Sequence, residues 1–170
     1  ERVDAHKFID GALKINGATF TSEHDEPLEG FENKPWIKVA DTVEAMQKVG
    51  TFYRNRMNLP VVAVTGSVGK TSTKEVIASV LNQKYHTLKT QGNFNNELGL
   101  PLTVFRLRDG DEIAVLEMGI SDFGEMTRLA KIAKPDTCVI TNIGTCHLEN
   151  LGDRDGVLKA KTEIFQYVKK

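Results

Sequence analysis

The sequence has 170 residues, with 22 Lys and Arg against 23 Asp and Glu, a net charge of −1 and 40% hydrophobic residues. That is ordinary globular composition, and it lacks the positive balance of a nucleic-acid footprint, so no nucleic-acid partner is expected. No apolar run approaches the roughly 20 residues of a membrane span, so no membrane insertion is expected; the two cysteines, Cys138 and Cys146, fit a reducing, cytoplasmic setting better than a disulfide framework.

In chain order, residues 4–15 show helical spacing through Phe8, Ile9, Ala12 and Leu13. Residues 18–21 and 36–39 read as short strands around a polar stretch with Pro27, Gly30 and Pro35. Asp41 reads as an N-cap for an apolar helical pattern from Val43 to Met57, which Asn58-Leu59-Pro60 breaks. A domain boundary is placed there, giving units of 1–58 and 59–170.

Beyond Pro60 the pattern alternates. Strands are expected at 61–64, 85–88, 112–116 and 137–141, and helices at 72–84, 100–107, 123–133 and 155–168. The strands at 61–64, 112–116 and 137–141 are nearly all apolar, as when both faces of a sheet are covered. The fold class expected is α/β: a mainly parallel sheet flanked by helices, of phosphate-loop type, after a smaller α/β unit. The chain begins without Met and ends within a helical pattern, so a piece of a longer protein is expected.

The strongest motif is Val64-Thr65-Gly66-Ser67-Val68-Gly69-Lys70-Thr71-Ser72, between a buried strand and a helix. Glycines let successive N–H groups curl around one anion, and the helix N-terminus adds a favourable dipole. Lys70 is placed to reach the outer phosphates of a nucleotide, and the Thr71 hydroxyl to hold Mg²⁺. The common pattern has Gly where this chain has Val64, so the loop is a variant, T-G-x-x-G-K-[ST]. Such a loop does not name a reaction.

Three further segments bear on the chemistry. Glu117 ends an apolar strand, where ligands of α/β sheets collect; it is either a Mg²⁺ carboxylate or a strand-end acid paired with a neighbouring cation. His147 follows the next strand and is either a metal ligand or acid/base, or a plain loop histidine. The stretch Gln91 to Glu97 is rich in side-chain amides, suited to phosphate oxygens or to a turn. Lys159 and Lys161, by spacing alone, belong to a solvated helix face.

Together these segments resemble the Mur ligases, the amide-forming enzymes of peptidoglycan precursor synthesis. The resemblance rests on the loop at 65–72 and on Gly92-Asn93-Phe94-Asn95-Asn96-Glu97-Leu98-Gly99-Leu100-Pro101. It continues through Glu117-Met118-Gly119, Ile140-Thr141-Asn142-Ile143-Gly144, His147-Leu148-Glu149 and the segment from Gly156 to Phe165, in the family's order. The wording is nearest the member that adds D-alanyl-D-alanine to a UDP-muramyl tripeptide; a ligase for another amine, or a nucleotide module without amide chemistry, are the alternatives.

The resemblance implies ATP and Mg²⁺ as cofactors, with UDP-muramyl tripeptide and D-alanyl-D-alanine as substrates joined through an acyl phosphate. It implies that Thr65, Gly66, Ser67, Val68, Gly69, Lys70, Thr71 and Ser72 hold the nucleotide, with Asn95 or Asn96 near the γ-phosphate. It implies Thr71, Glu117 and His147 around Mg²⁺, with Lys161 as the lysine that these enzymes carbamylate. Lys70, His147 and Lys161 are then the catalytic residues, Lys159 remaining an alternative to Lys161. Residues 1–58 become part of a UDP-substrate domain and 59–170 part of the ATP domain. A C-terminal domain that closes the site is then missing, and the chain alone is expected to be inactive as a ligase.

Overall fold

The computed structural model describes residues 4–15 and 17–168. The chain divides into two units, residues 1–46 and 47–170. The division falls inside a helix rather than after it, twelve residues or so before the boundary drawn from the sequence, because the second half of that helix is bonded into the larger unit.

In the smaller unit a short 3₁₀ turn at Ala5–Phe8 leads into α1, Ile9–Ile15. Its buried face is Ile9 and Leu13. Strands β1, Thr19–Thr21, and β2, Trp36–Lys38, pair in parallel with Phe20 opposite Ile37. The polar stretch between them is irregular, as its Pro and Gly content implies.

Helix α2 spans Thr42–Arg56. Asp41 caps it, its Oδ1 accepting the Glu44 N–H at 2.8 Å. Within the larger unit Tyr53 donates to the Leu107 carbonyl at 2.7 Å. Arg54, 3% exposed, donates to the carbonyls of Ala133, Met57 and Leu59 at 3.0, 2.7 and 3.0 Å. A buried guanidinium with three carbonyl acceptors satisfies the end of α2 and the entry to the sheet together.

The larger unit is a four-stranded parallel sheet in the order β4-β5-β3-β6. The strands are β3 (Val61–Thr65), β4 (Thr87–Lys89), β5 (Ile113–Glu117) and β6 (Thr137–Ile140). Between and after them run α3 (Lys70–Leu81), α4 (Gly99–Val104), α5 (Glu125–Ala133), α6 (Leu148–Leu151) and α7 (Arg154–Thr162), with a 3₁₀ turn at Glu163–Gln166. The α/β class read from the alternation is therefore observed, down to the all-parallel pairing. Helix α6 was not anticipated; four residues are too few to carry a periodicity.

Side chains alternate across the sheet. Val61, Ala63, Ala114 and Leu116 enter a core with Leu100, Val104, Met126, Leu129, Val157 and Ile164 from α4, α5, α7 and the following turn. Val62, Val64 and Val115 face the other way, onto Ala78, Ile77 and Leu81 of α3. A period of two with apolar residues on both faces is why β3 and β5 read as unbroken apolar runs. Lys134 closes α5 in a left-handed conformation, φ 46°, and Pro135 prevents continuation.

The pairings Val64–Glu117 and Thr65–Ile140 set the carboxyl ends of β3, β5 and β6 level. The loops that leave those ends therefore converge on one edge of the sheet; they carry the phosphate loop and His147, while Lys70 to Ser72 open α3, Glu117 ends β5, Asn95 and Asn96 follow β4, and Lys161 lies on α7.

Candidate nucleotide and metal site

The loop after β3 is shaped by two glycines. Gly66 has φ 145°, and a Cβ there would lie 1.9 Å from Thr141 Oγ1, so no side chain fits. Gly69 has φ 79° and stands as the N-cap of α3. Both conformations favour glycine. Around them, Thr141 Oγ1 donates to the Val68 carbonyl at 2.6 Å. Asn142 Oδ1 accepts the N–H groups of Ser67 and Val68 at 3.1 and 3.0 Å. A carbonyl oxygen thus sits on two loop amides, which is the bonding an anionic oxygen would take from them.

Ser67 Oγ accepts the Gly144 N–H at 2.9 Å and the Cys146 thiol at 3.2 Å. Thr65 is fully buried and donates to the Met118 carbonyl at 2.8 Å, tying the ends of β3 and β5. These two side chains hold the loop, and their backbone supplies its wall. Val68 and Ser72 are exposed. Lys70 bends back over the loop, its Nζ 2.9 Å from the Gly66 carbonyl and 3.4 Å from that of Ser67.

Glu117, 1% exposed, is the convergence point. Its Oε1 accepts Thr71 Oγ1 at 3.2 Å and Asn95 Nδ2 at 2.7 Å. Asn95 is pinned by its own carbonyl, which accepts the Gly119 N–H at 2.8 Å. Of the two amides that the sequence left open, Asn95 is the one that meets Glu117. Asn96 Oδ1 instead accepts the N–H groups of Leu98 and Gly99, at 3.2 and 2.8 Å, at the entry to α4. Glu117 is thus paired both ways: toward Thr71 and Asn95 through one oxygen, and toward the Lys74 ammonium, 3.9 Å from the other.

A carboxylate and a hydroxyl oxygen side by side are hard donors, the kind that Mg²⁺ takes. Thr71 Oγ1 and Glu117 Oε1 lie 3.2 Å apart, and the oxygen nearest Lys74 is the other one, Oε2. The residues present therefore fit such a cation, with Thr71 and Glu117 as the chain's donors.

His147 is not brought to that carboxylate. It takes a left-handed conformation, φ 56°, as the N-cap of α6, and its ring is exposed, with Nδ1 3.8 Å from Glu149 Oε1. Among the described residues, the group of three or more His, Cys, Asp and Glu side chains close enough to share an ion is Asp4, His6 and Glu23, in the smaller unit. There His6 Nε2 accepts the Ser22 N–H at 3.1 Å, which leaves the proton on Nδ1 to donate to Asp4 at 2.8 Å. Both ring nitrogens are thus occupied by protein.

The two lysines of α7 separate clearly. Lys159 is exposed, 5.8 Å from the centre of the Phe123 ring. Lys161 is 1% exposed, and its ammonium makes no hydrogen bond or ion pair among the described residues. Burial pushes its pKa down; Cys146 opposes this and the charge of Lys70 adds to it. Lys161 is thus a buried amine and Lys159 a surface charge.

Sequence reasoning missed Lys74 and Thr90, and it quoted Thr141 and Asn142 only as part of a family segment, without a role. Lys74 lies one helical turn beyond Lys70, a signal that was there to read. The threonines and Asn142 act through bonds that only the fold creates. Among the described residues no helix is long and apolar enough to cross a membrane.

Comparison with known proteins bears on this geometry. Residues 64–170 match the family model of the Mur ligase middle domain. The UDP-N-acetylmuramoyl-tripeptide–D-alanyl-D-alanine ligase of Bacillus subtilis is 44% identical over 169 residues, covering 99% of this chain and 37% of the relative. The ligase of the same name from Escherichia coli is 40% identical over 97% of this chain and 36% of its own length. The crystal structure of MurF from Acinetobacter baumannii superposes with a TM-score of 0.89 at 38% identity, covering 99% of this chain and 37% of that one. MurF of Thermotoga maritima in complex with ADP superposes with a TM-score of 0.88 at 37% identity, covering 99% of this chain and 39% of that one. The chain thus spans between a third and two fifths of the length of these relatives.

Proposed function

This chain belongs to the Mur ligase family, and on that premise we propose that it is the nucleotide-handling part of an ATP-dependent ligase joining D-alanyl-D-alanine to a UDP-N-acetylmuramoyl tripeptide. The observation that carries the reading is the convergence of Thr71 and Asn95 on Glu117 Oε1 beside the phosphate loop. The names of these relatives support the choice of substrates.

The reaction needs the terminal carboxylate of the tripeptide to attack the γ-phosphate of ATP, breaking the bond to the leaving ADP and giving an acyl phosphate. The amine of D-alanyl-D-alanine then attacks the acyl carbon, and phosphate departs with the electron pair of its C–O bond. The amine's proton passes to solvent or a base. Bringing two anions together is the electrostatic difficulty, and preorganised cations and N–H groups are what offset it.

The residues divide this work. The amides of residues 66–72 face the phosphates at the N-terminus of α3, and Asn142 Oδ1 gives up the amides of Ser67 and Val68 to them. Lys70 swings from the loop carbonyls to the transferred phosphoryl group. Thr71 and Glu117 would hold Mg²⁺, with Asn95 fixing the carboxylate between them. Bound there, Mg²⁺ would neutralise phosphate charge. His147, carried on the segment that follows β6, reaches the metal side only with movement of its ring.

Lys161 is the carbamylated residue in this reading. Its neutral amine adds to CO₂, forming an N–C bond and releasing one proton, so that the side chain ends in an oxygen-bearing anion. The smaller unit serves the UDP end of the acceptor, and the protein works in the cytoplasm, where ATP and the precursor are found.

Phosphate release tests the reading. The protein as expressed from its gene is mixed with ATP, Mg²⁺, UDP-muramyl tripeptide and a panel of amines. Release that requires D-alanyl-D-alanine is expected. Release that requires a different amine would move the protein to a sister ligase, and nucleotide binding without release would leave a binding module.

A further inference from the structure

Lys74 lies one turn into α3 and is 1% exposed, among the largest fully buried side chains of the chain. A buried ammonium demands partners. It donates to the Thr90 carbonyl at 2.8 Å and pairs with Glu75 Oε1 at 2.9 Å. Its third neighbour is Glu117 Oε2, at 3.9 Å, beyond hydrogen-bond reach. That oxygen is buried and accepts no hydrogen bond. Thr90 joins the two groups from the other side: its Oγ1 accepts the Glu117 N–H at 3.0 Å. Glu75 is itself shared with Lys89 at the end of β4.

The carboxylate of Glu117 therefore has a front and a back. Oε1 faces Thr71 and Asn95, and Oε2 faces a fixed cation. We propose that Lys74 is a positioning residue for Glu117: it compensates the back oxygen, and so keeps the front oxygen presented to the cation that accompanies the nucleotide. Lys74 is committed by hydrogen bonds to Thr90 and Glu75, so it balances charge without capturing the carboxylate. Groups that orient a metal ligand from behind are worth 10- to 100-fold in metal affinity. The proposal rests on the nucleotide reading above and adds a residue that touches neither nucleotide nor metal.

The test uses a fluorescent ADP analogue and the intact chain, with Mg²⁺ and with EDTA. The quantity read is the gain in affinity on adding Mg²⁺. Lys74→Met should cut that gain about 10-fold or more, while Lys74→Arg, which keeps the charge, retains most of it. An unchanged gain in Lys74→Met, or an equal loss in Lys74→Arg, overturns the proposal.

Thermal unfolding in EDTA gives a second readout that no bound group enters. Glu117→Gln should restore stability to Lys74→Met, because removing both charges leaves no buried carboxylate uncompensated. A double variant no more stable than Lys74→Met overturns the proposal, including where the single variant fails to fold. A parent chain that binds the analogue with no Mg²⁺ gain removes the nucleotide–metal reading instead, and the EDTA pair still decides whether Lys74 and Glu117 are coupled.

Discussion

Two adjacent asparagines illustrate how much the site depends on single side chains. Asn95 and Asn96 are equivalent in composition and in motif. Only the fold turns one onto Glu117 and the other onto the amides that open α4. Asn96→Ala should lower stability by about 1 kcal/mol, the net worth of a lost hydrogen bond, with little effect on nucleotide affinity. Asn95→Ala should do the reverse, weakening Mg²⁺-dependent ADP binding while the melting temperature holds. Calorimetry of both variants, with and without Mg²⁺-ADP, separates the roles. Gly66 is equally unforgiving. Gly66→Ala drives a methyl into Thr141 Oγ1 and should destabilise the chain by roughly 1–3 kcal/mol, as overpacking does. It should also weaken nucleotide binding, because Thr141 then releases the Val68 carbonyl. The glycine pattern announced this loop in the sequence; the partner that makes the glycine obligatory lies 75 residues away, where no local pattern could reveal it.

At the scale of elements, the strands were legible because burial on both faces leaves an unmistakable apolar run, as in Val61-Val62-Ala63-Val64. Helix ends were read where a cap or breaker stood, at Asp41 and Pro135, and drifted where none did. Lys70 already belongs to α3, although the sequence reading began the helix at Ser72. Helix α3 and strand β4 are also joined by charge. Glu75 is hydrogen-bonded by Lys89 and then by Lys74, which holds its carboxyl below its ordinary value of 4.5. A carboxylate with a depressed folded pKa stabilises the fold above its ordinary value, and that contribution is lost as pH falls through the lowered value. Glu75→Gln should therefore cost stability near neutral pH and cost less at about pH 3, which a pair of thermal melts measures. The pair is about half exposed, so the neutral-pH effect is modest.

For the whole molecule, the segments that the sequence singled out meet where distant parts of the chain share one sheet edge. A parallel sheet places every β–α loop at the carboxyl ends, so Thr71, Asn95 and Glu117, spread over 47 residues of sequence, come together by topology alone. What the sequence could not separate was Lys159 from Lys161, since a helix shows both faces alike on paper. Burial separates them. Burial pushes the pKa of Lys161 down, so the carbamate proposal expects it to take up CO₂ at lower pH than a surface lysine. Native mass spectrometry in bicarbonate should find one CO₂ equivalent on the chain, increasing as pH rises, because deprotonation must precede addition. Lys161→Ala should remove it and Lys159→Ala should not; an adduct that survives Lys161→Ala places the carbamate elsewhere.

The central claim is that this chain holds a nucleotide on the loop at 65–72 with Mg²⁺ beside Glu117. The most direct measurement is a calorimetric titration of the chain with ADP, in Mg²⁺ and in EDTA, alongside Lys70→Ala. The account predicts binding that Mg²⁺ strengthens and that Lys70→Ala weakens at least 10-fold, about 1.4 kcal/mol or more, with the melting temperature of the free chain unchanged. ADP binding of equal strength in the parent chain and in Lys70→Ala, indifferent to Mg²⁺, would contradict it.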